Sequence, residues 1–367
     1  MGTQGKILVL NVLIYYFWLS FSFILSTGKL KNDKKIFYLL VLIILNYFYF
    51  SILGLDYNNY KNMFEVVSFI NKSNFLYNRI EPFIYYLIFF LKKYYLTYNV
   101  YFLSLKGVPL LINVFLINKI SKNKIQALFF LFLINFIYAY CDALRQNISS
   151  SFLLLGIYFF YKTHFICKNI GIICLLSSIF SHYSSLIVVL ISFFKKTIKK
   201  INLKEYVLII FLEIFLSFII YKMLLILDLN KSNYIFLKKF SLYLTEQKIA
   251  ILNSKTSIYI LYNLQVYYKI FESIFLNALL LKNKNTFKGI KKEILNLGTI
   301  GTISSALLIF SNKILVLRFN LSFCYGFYLL IPFLKKRDKL IAIFIVLISN
   351  IFIMLYYLNI QGKIFIL

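Results

Sequence analysis

Three prolines and twelve glycines in 367 residues are too few for a Pro/Gly-rich disordered chain. Charge is equally scarce: 14% of residues are Asp, Glu, Lys or Arg, against roughly 25% in soluble domains. With 61% hydrophobic residues and a mean hydropathy of +0.80, the chain lacks the polar groups to cover a globule in water, so its solvent is a bilayer. No segment is polar enough for a separate soluble domain, which leaves one polytopic membrane domain over 1–367. The four cysteines, Cys141, Cys167, Cys174 and Cys324, lie in or beside apolar runs without CxxC or Cys/His spacing, so they are read as packing residues rather than a zinc or disulfide framework. Walker A, GxSxG, HExxH and a paired Asp-x-Asp loop motif are also missing. Nucleotide hydrolysis and metal-dependent nucleotide-sugar chemistry are therefore disfavoured, and no metal or other cofactor is expected.

Acidic residues number 12 against 41 basic ones, a net charge of +29. In a soluble protein that excess would point to nucleic acid. Here the lysines stand in short clusters between apolar runs, as topogenic charge and as contacts to lipid headgroups, so membrane lipids rather than nucleic acid are the expected partner.

What the chain has in quantity is apolar sequence. A helix crossing a hydrocarbon core of about 30 Å needs about 17–25 residues. Candidate crossings lie near 7 to 26, 36 to 53, 98 to 118, 125 to 141, 147 to 161, 166 to 181, 183 to 195, 206 to 227, 257 to 281, 294 to 310, 314 to 334 and 339 to 358. The first apolar run exceeds the core of a cleavable signal peptide and is read as a transmembrane helix. The runs at 166 to 181 and 183 to 195 are short enough to be half-helices instead. The expected fold is an all-α, multi-pass membrane bundle of about 12 transmembrane helices.

The lysine clusters at Lys29 to Lys35, Lys119 to Lys124, Lys195 to Lys200, Lys282 to Lys292 and Lys335 to Lys339 can all be cytoplasmic in one arrangement. That arrangement requires 82 to 96 to be a re-entrant or interfacial segment starting at Pro82. The pair Lys92-Lys93 speaks against it, and thirteen crossings with one cluster outside is the alternative. In the first arrangement two long connections, near 54–81 and 228–256, face outward and collect the polar groups.

Only four of the basic residues are arginine. Arg145, between two apolar runs, therefore stands out, because guanidinium grips phosphate or carboxylate with a planar fork that lysine lacks. A pair with Asp142 fixing a helix start is its bland reading. His182, in Phe-Ser-His-Tyr-Ser, can act as base or phosphate contact, or can simply end a helix. Arg318, early in the run 314 to 334, is a second arginine near an apolar run, or a snorkelling residue. The outward connection 54–81 offers Asp56, Tyr57 and Tyr60, then Arg79 and Glu81; carboxylates and tyrosines suit sugar hydroxyls. Before Pro82, Glu81 also fits a helix N-cap. Glu213 and Glu272 lie within apolar runs, and whether Lys222, Lys269 or each other pairs them stays open. His164 is read as a solvated residue of a basic loop.

Gly-x-Asp-Tyr-x-x-Tyr at 54 to 60, Glu81-Pro82, Leu144-Arg145-Gln146-Asn147-Ile148-Ser149, Phe180-Ser181-His182 and Arg318-Phe319 follow one another in a fixed order along the chain. In that order they resemble the EpsG-like polysaccharide polymerases, grouped with the Wzy-type O-antigen and capsule polymerases. The resemblance is clearest over about 50 to 190, and it departs where serines follow Arg-Gln-Asn-Ile in place of small alanine-like residues. It implies a glycosyltransferase of the bacterial cytoplasmic membrane, working at its outer face without metal or nucleotide. One undecaprenyl-diphosphate-linked oligosaccharide would be transferred onto the next lipid-linked repeat unit, with a chain-length regulator and a flippase as further partners. Arg145, His182 and Arg318 are then the catalytic candidates, and Asp56, Tyr60, Glu81 and Gln146 the substrate-binding ones. Arginines would hold the diphosphate leaving group, and His182 would serve as base with Asp56 or Glu81 as rival. A transporter or lipid-linked oligosaccharide flippase, or an O-antigen ligase, is the competing function.

Overall fold

A computed structural model describes residues 33–50, 57–67, 81–135, 140, 143–183, 185–193, 201–226, 257–310 and 313–364. The candidate crossing at 7 to 26, the connection 228–256, Asp56, Arg79 and Asp142 lie outside the described residues. Among those described there is no strand. The helices are α1 (Asp33–Phe50), α2 (Tyr57–Val66), α3 (Pro82–Lys93), α4 (Tyr98–Ile120), α5 (Lys124–Asn135), α6 (Leu144–Phe160), α7 (Phe165–Ser181), α8 (Ser185–Phe193), α9 (Leu203–Ile226), α10 (Ser257–Lys282), α11 (Ile290–Leu308), α12 (Lys313–Cys324), α13 (Phe327–Leu330) and α14 (Lys336–Ile364). A backbone without water must satisfy its own hydrogen bonds, and the helix does so within one segment.

Among the described residues three helical stretches, Tyr98–Ile120, Leu264–Lys282 and Val316–Phe333, are long and apolar enough to cross a membrane; α5 and α7 are shorter apolar helices. At 23 residues α4 reaches about 35 Å. By contrast α3, with 12 residues, spans about 18 Å and falls short of a hydrocarbon core.

The expected run 314 to 334 is not one continuous helix. It breaks at Tyr325-Gly326 between α12 and α13, and the two phenylalanines flanking the break seat on the glycine surface of α11. A Cβ on Gly301 would stand 2.0 Å from Phe323 Cβ, and one on Gly298 would stand 2.1 Å from Phe327 Cε1. The freed Tyr325 carbonyl accepts from Asn135 Nδ2 at 3.4 Å. Tyr325 also gives its hydroxyl to Asn147 Oδ1 and receives Asn113 Nδ2 at 2.7 Å, so one buried polar knot joins α4, α6 and the break.

Helices α6 and α7 form the tightest pair. Only Tyr161 to His164 separate them, so they run antiparallel. Ser149 Oγ meets Ser178 Oγ at 3.1 Å, and a Cβ on Gly156 would lie 3.1 Å from the Gly171 carbonyl and 2.8 Å from the Leu175 side chain. Small residues let the backbones approach, and hydroxyls hydrogen-bond across them. Two of the three serines after Arg-Gln-Asn-Ile are thereby explained: Ser149 binds α7 and Ser151 donates to the Tyr325 hydroxyl at 3.2 Å.

Candidate functional site

The α6–α7 register positions two of the expected residues. Ser149 faces Ser178; one helical turn further towards the open end, Arg145 opens α6 and His182 closes α7. Helix α3 brings the third group to the same end. Glu81 occupies the N-cap position ahead of Pro82, but its side chain caps nothing. Instead Glu81 Oε2 accepts from Arg145 Nη1 at 2.5 Å, and Glu81 Oε1 lies 3.1 Å from His182 Nδ1. The described partner of Arg145 is therefore Glu81, 64 positions away in sequence.

The carboxylate is 5% exposed. Burial raises its pKa, but the hydrogen bond to His182 and the Arg145 charge outweigh that and hold it below the ordinary value of 4.5. A carboxylate bonded to Nδ1 makes that nitrogen the donor and leaves the neutral ring's lone pair at Nε2. Nε2 is buried and has no hydrogen-bond partner among the described residues. The Arg145 side chain keeps 26% of its surface exposed, with its guanidinium carbon 6.0 Å from the Tyr60 ring centroid and a hydrogen bond to Tyr60. Tyr60, Glu81, Arg145 and His182 thus meet in one place.

Gln146 points elsewhere. It is buried, and its two amide hydrogens go to the Arg318 carbonyl and, at 3.1 Å, to Ser322 Oγ of α12. On another face of α12, Ser273 of α10 donates to Asn320 Oδ1 at 2.7 Å. Helix α12 is held from two sides, and Arg318 joins the site's surroundings through its backbone. The Arg318 guanidinium is half-buried and makes no hydrogen bond or ion pair among the described residues.

Glu272 has a partner: Lys269 Nζ lies 2.8 Å from its Oε1 and also donates to the Ile134 carbonyl at 2.7 Å. These groups, with Asn135, Ser273, Asn320 and Cys324, line a small cavity with space for no more than about one water. An i, i+3 spacing was the signal for the pair. Glu213 is partly buried, with Oε2 unpartnered. Lys92, the residue that spoke against an outward 82 to 96, donates to the carbonyls of Glu65 at 3.2 Å and Val67 at 2.5 Å, which satisfies the end of α2. His164 is exposed at the start of α7, Cys174 and Cys324 are buried, and Cys167 is half-buried.

One residue beside the site carried no signal in the sequence. Tyr101 of α4 is fully buried and packs in the same cluster as Tyr60 and Leu144, one of 31 tyrosines with nothing in its spacing to set it apart.

Among the described residues no group of His, Cys, Asp and Glu is arranged to hold a metal ion. No curated protein and no solved structure matches the chain. The model of the EpsG family matches residues 36–366.

Proposed function

The chain belongs to the EpsG family, a Wzy-type polymerase-like family, and from that membership we propose a membrane glycosyltransferase that polymerises lipid-linked repeat units. The donor is an undecaprenyl-diphosphate-linked glycan and the acceptor a hydroxyl of a second lipid-linked unit. The reaction takes place at the outer face of the cytoplasmic membrane and serves a surface polysaccharide.

The observation that carries this reading is the convergence of Glu81, Arg145 and His182 at one end of the α6–α7 pair. Breaking the bond between sugar and diphosphate leaves negative charge on the departing phosphate oxygen. A guanidinium already oriented by Glu81 and Tyr60 stabilises that charge without reorganising. Bond formation needs the acceptor hydroxyl to lose a proton, and Nε2 of His182 takes it. Glu81 is the weaker base, since its oxygens are engaged and its proton affinity is depressed; its role is to orient His182 and carry the imidazolium charge. Gln146 fixes α12, and with it the position from which Arg318 reaches the diphosphate. Asp56 and Tyr60 contribute to the sugar-binding surface.

The use of Lys92 as a cap for α2 supports an outward-facing 82 to 96, with about 12 crossings and the lysine clusters inside. External cysteine labelling that reaches position 58 but not 199 fits this topology, and label at 199 alone inverts it. In the flippase reading Arg145, Glu213 and Glu272 would bind substrate or relay protons; Arg145 and Glu272 are each engaged in an ion pair, while Glu213 leaves its Oε2 without a partner among the described residues.

The test is polymer formation. Purified protein in liposomes with the host's lipid-linked repeat unit is expected to give a ladder spaced by one repeat, without added nucleotide or metal. Unchanged single repeats from a folded sample given the correct substrate would overturn the reading.

A further inference from the structure

Tyr101 has no exposed surface, and its hydroxyl has no hydrogen-bond partner among the described residues. Buried tyrosine hydroxyls are ordinarily bonded, and an orphan calls for an explanation. Phenylalanine would fill the same space with no polar atom to desolvate. The ring is held on two sides, stacked on Phe64 at 5.4 Å between centroids and tilted against Tyr98 at 6.0 Å. It cannot swing towards another partner; only its O–H bond rotates.

The groups within electrostatic reach of this hydroxyl are Tyr60, Arg145, Tyr98 and Glu81. Glu81 takes Arg145 on Oε2 and His182 on Oε1, and the Tyr101 hydroxyl bonds to neither oxygen. What remains is a fixed neutral donor near a guanidinium. Two donors, one of them cationic, suit an anionic oxygen better than a sugar hydroxyl, which also needs an acceptor for its own hydrogen. We infer that Tyr101 is a binding residue for a phosphate oxygen held by Arg145, donating its hydroxyl hydrogen to that oxygen. No covalent bond changes at Tyr101. The inference deepens the proposed function and rests on it in identifying the phosphate as that of the lipid diphosphate.

The experiment compares the full-length wild type with Tyr101→Phe in nanodiscs. Affinity for undecaprenyl diphosphate and for inorganic pyrophosphate is measured, together with the thermal midpoint without ligand. Tyr101→Phe is expected to weaken undecaprenyl diphosphate binding by about tenfold, as for loss of one hydrogen bond to a charged group, with an equal or higher midpoint. Weakening of both ligands assigns the contact to the headgroup alone; weakening of the lipid form only makes the tail necessary for reaching it. Equal affinities of the two proteins, no binding by the wild type, or a lowered midpoint in Tyr101→Phe would each overturn the inference, the last because the hydroxyl would then be a structural bond. A wild type that binds the diphosphate yet forms no ladder removes the polymerase reading, while the affinity comparison still decides Tyr101.

Discussion

Arg145 and His182 hold opposite oxygens of the same carboxylate, that of Glu81. One residue opens α6 and the other closes α7, so the carboxylate ties together the two ends of an antiparallel pair. A cation and an imidazole sharing one anion act as a unit, and their mutations will not add.

Arg145→Lys keeps the charge and loses the fork. Polymer formation is expected to fall about a hundredfold or more, as for removal of one oriented donor to developing charge, while membrane expression stays at the wild-type level. A ladder assay on matched amounts of purified protein decides it, and near wild-type turnover would remove Arg145 from the diphosphate.

Glu81→Gln should lower turnover less than His182→Ala, and the double variant should be no worse than His182→Ala. That pattern separates a residue acting through His182 from one acting independently. Equal and additive losses would make Glu81 a base in its own right.

The same carboxylate gives a pH signature. Its folded pKa lies below 4.5, so its stabilising contribution is complete above the unfolded value of 4.5 and is lost as the pH falls through the folded value. The thermal midpoint of the wild type should therefore fall more steeply than that of Glu81→Gln below about pH 4.5. Parallel curves from pH 7 to 3 would show that the carboxylate contributes no such term.

Lys269→Met leaves Glu272 buried beside an empty position. The expected cost is about 3–5 kcal/mol, as for breaking a buried pair, and Lys269→Met with Glu272→Leu should recover most of it. Thermal midpoints of the three proteins check this, and a double variant no better than the single one would point to the Ile134 carbonyl as the bond that matters.

Much of the helix pattern was legible because a bilayer demands long apolar runs. The expected 98 to 118 and 166 to 181 lie within one or two residues of α4 and α7 at each end. The break at Tyr325-Gly326 was not legible, since 314 to 334 is long and mostly apolar and the surface its flanking phenylalanines pack on, Gly298 and Gly301, belongs to another helix. At the site, the charged residues drew attention one by one as costly groups in an apolar chain. Their pairing did not, because Glu81 and His182 are 101 positions apart. Arg145 was read locally, against Asp142, while its described partner comes from α3. The register of α6 and α7 was in principle available: Gly156 and Ser149 stand opposite Gly171 and Ser178, and the same spacing extends to Arg145 and His182.

That register has a mechanical consequence. Gly156 lies eleven residues from Arg145, about 16 Å along the helix, and a Cβ there would stand 3.1 Å from the Gly171 carbonyl of the facing backbone. The contact is a pivot, and Arg145 and His182 sit at the ends of the two arms it joins. A methyl group added at the pivot has the Leu175 side chain 2.8 Å and the Gly171 carbonyl 3.1 Å away, so it displaces the first and presses the second backbone outward. Spacing at the far tips then changes by more than the displacement at the pivot, and misplacement of about 1 Å can cost a hundredfold in rate. Two residues that touch no substrate thus set the aperture of the charged cluster, and inactivating substitutions are to be sought at the glycines as well as at the arginines.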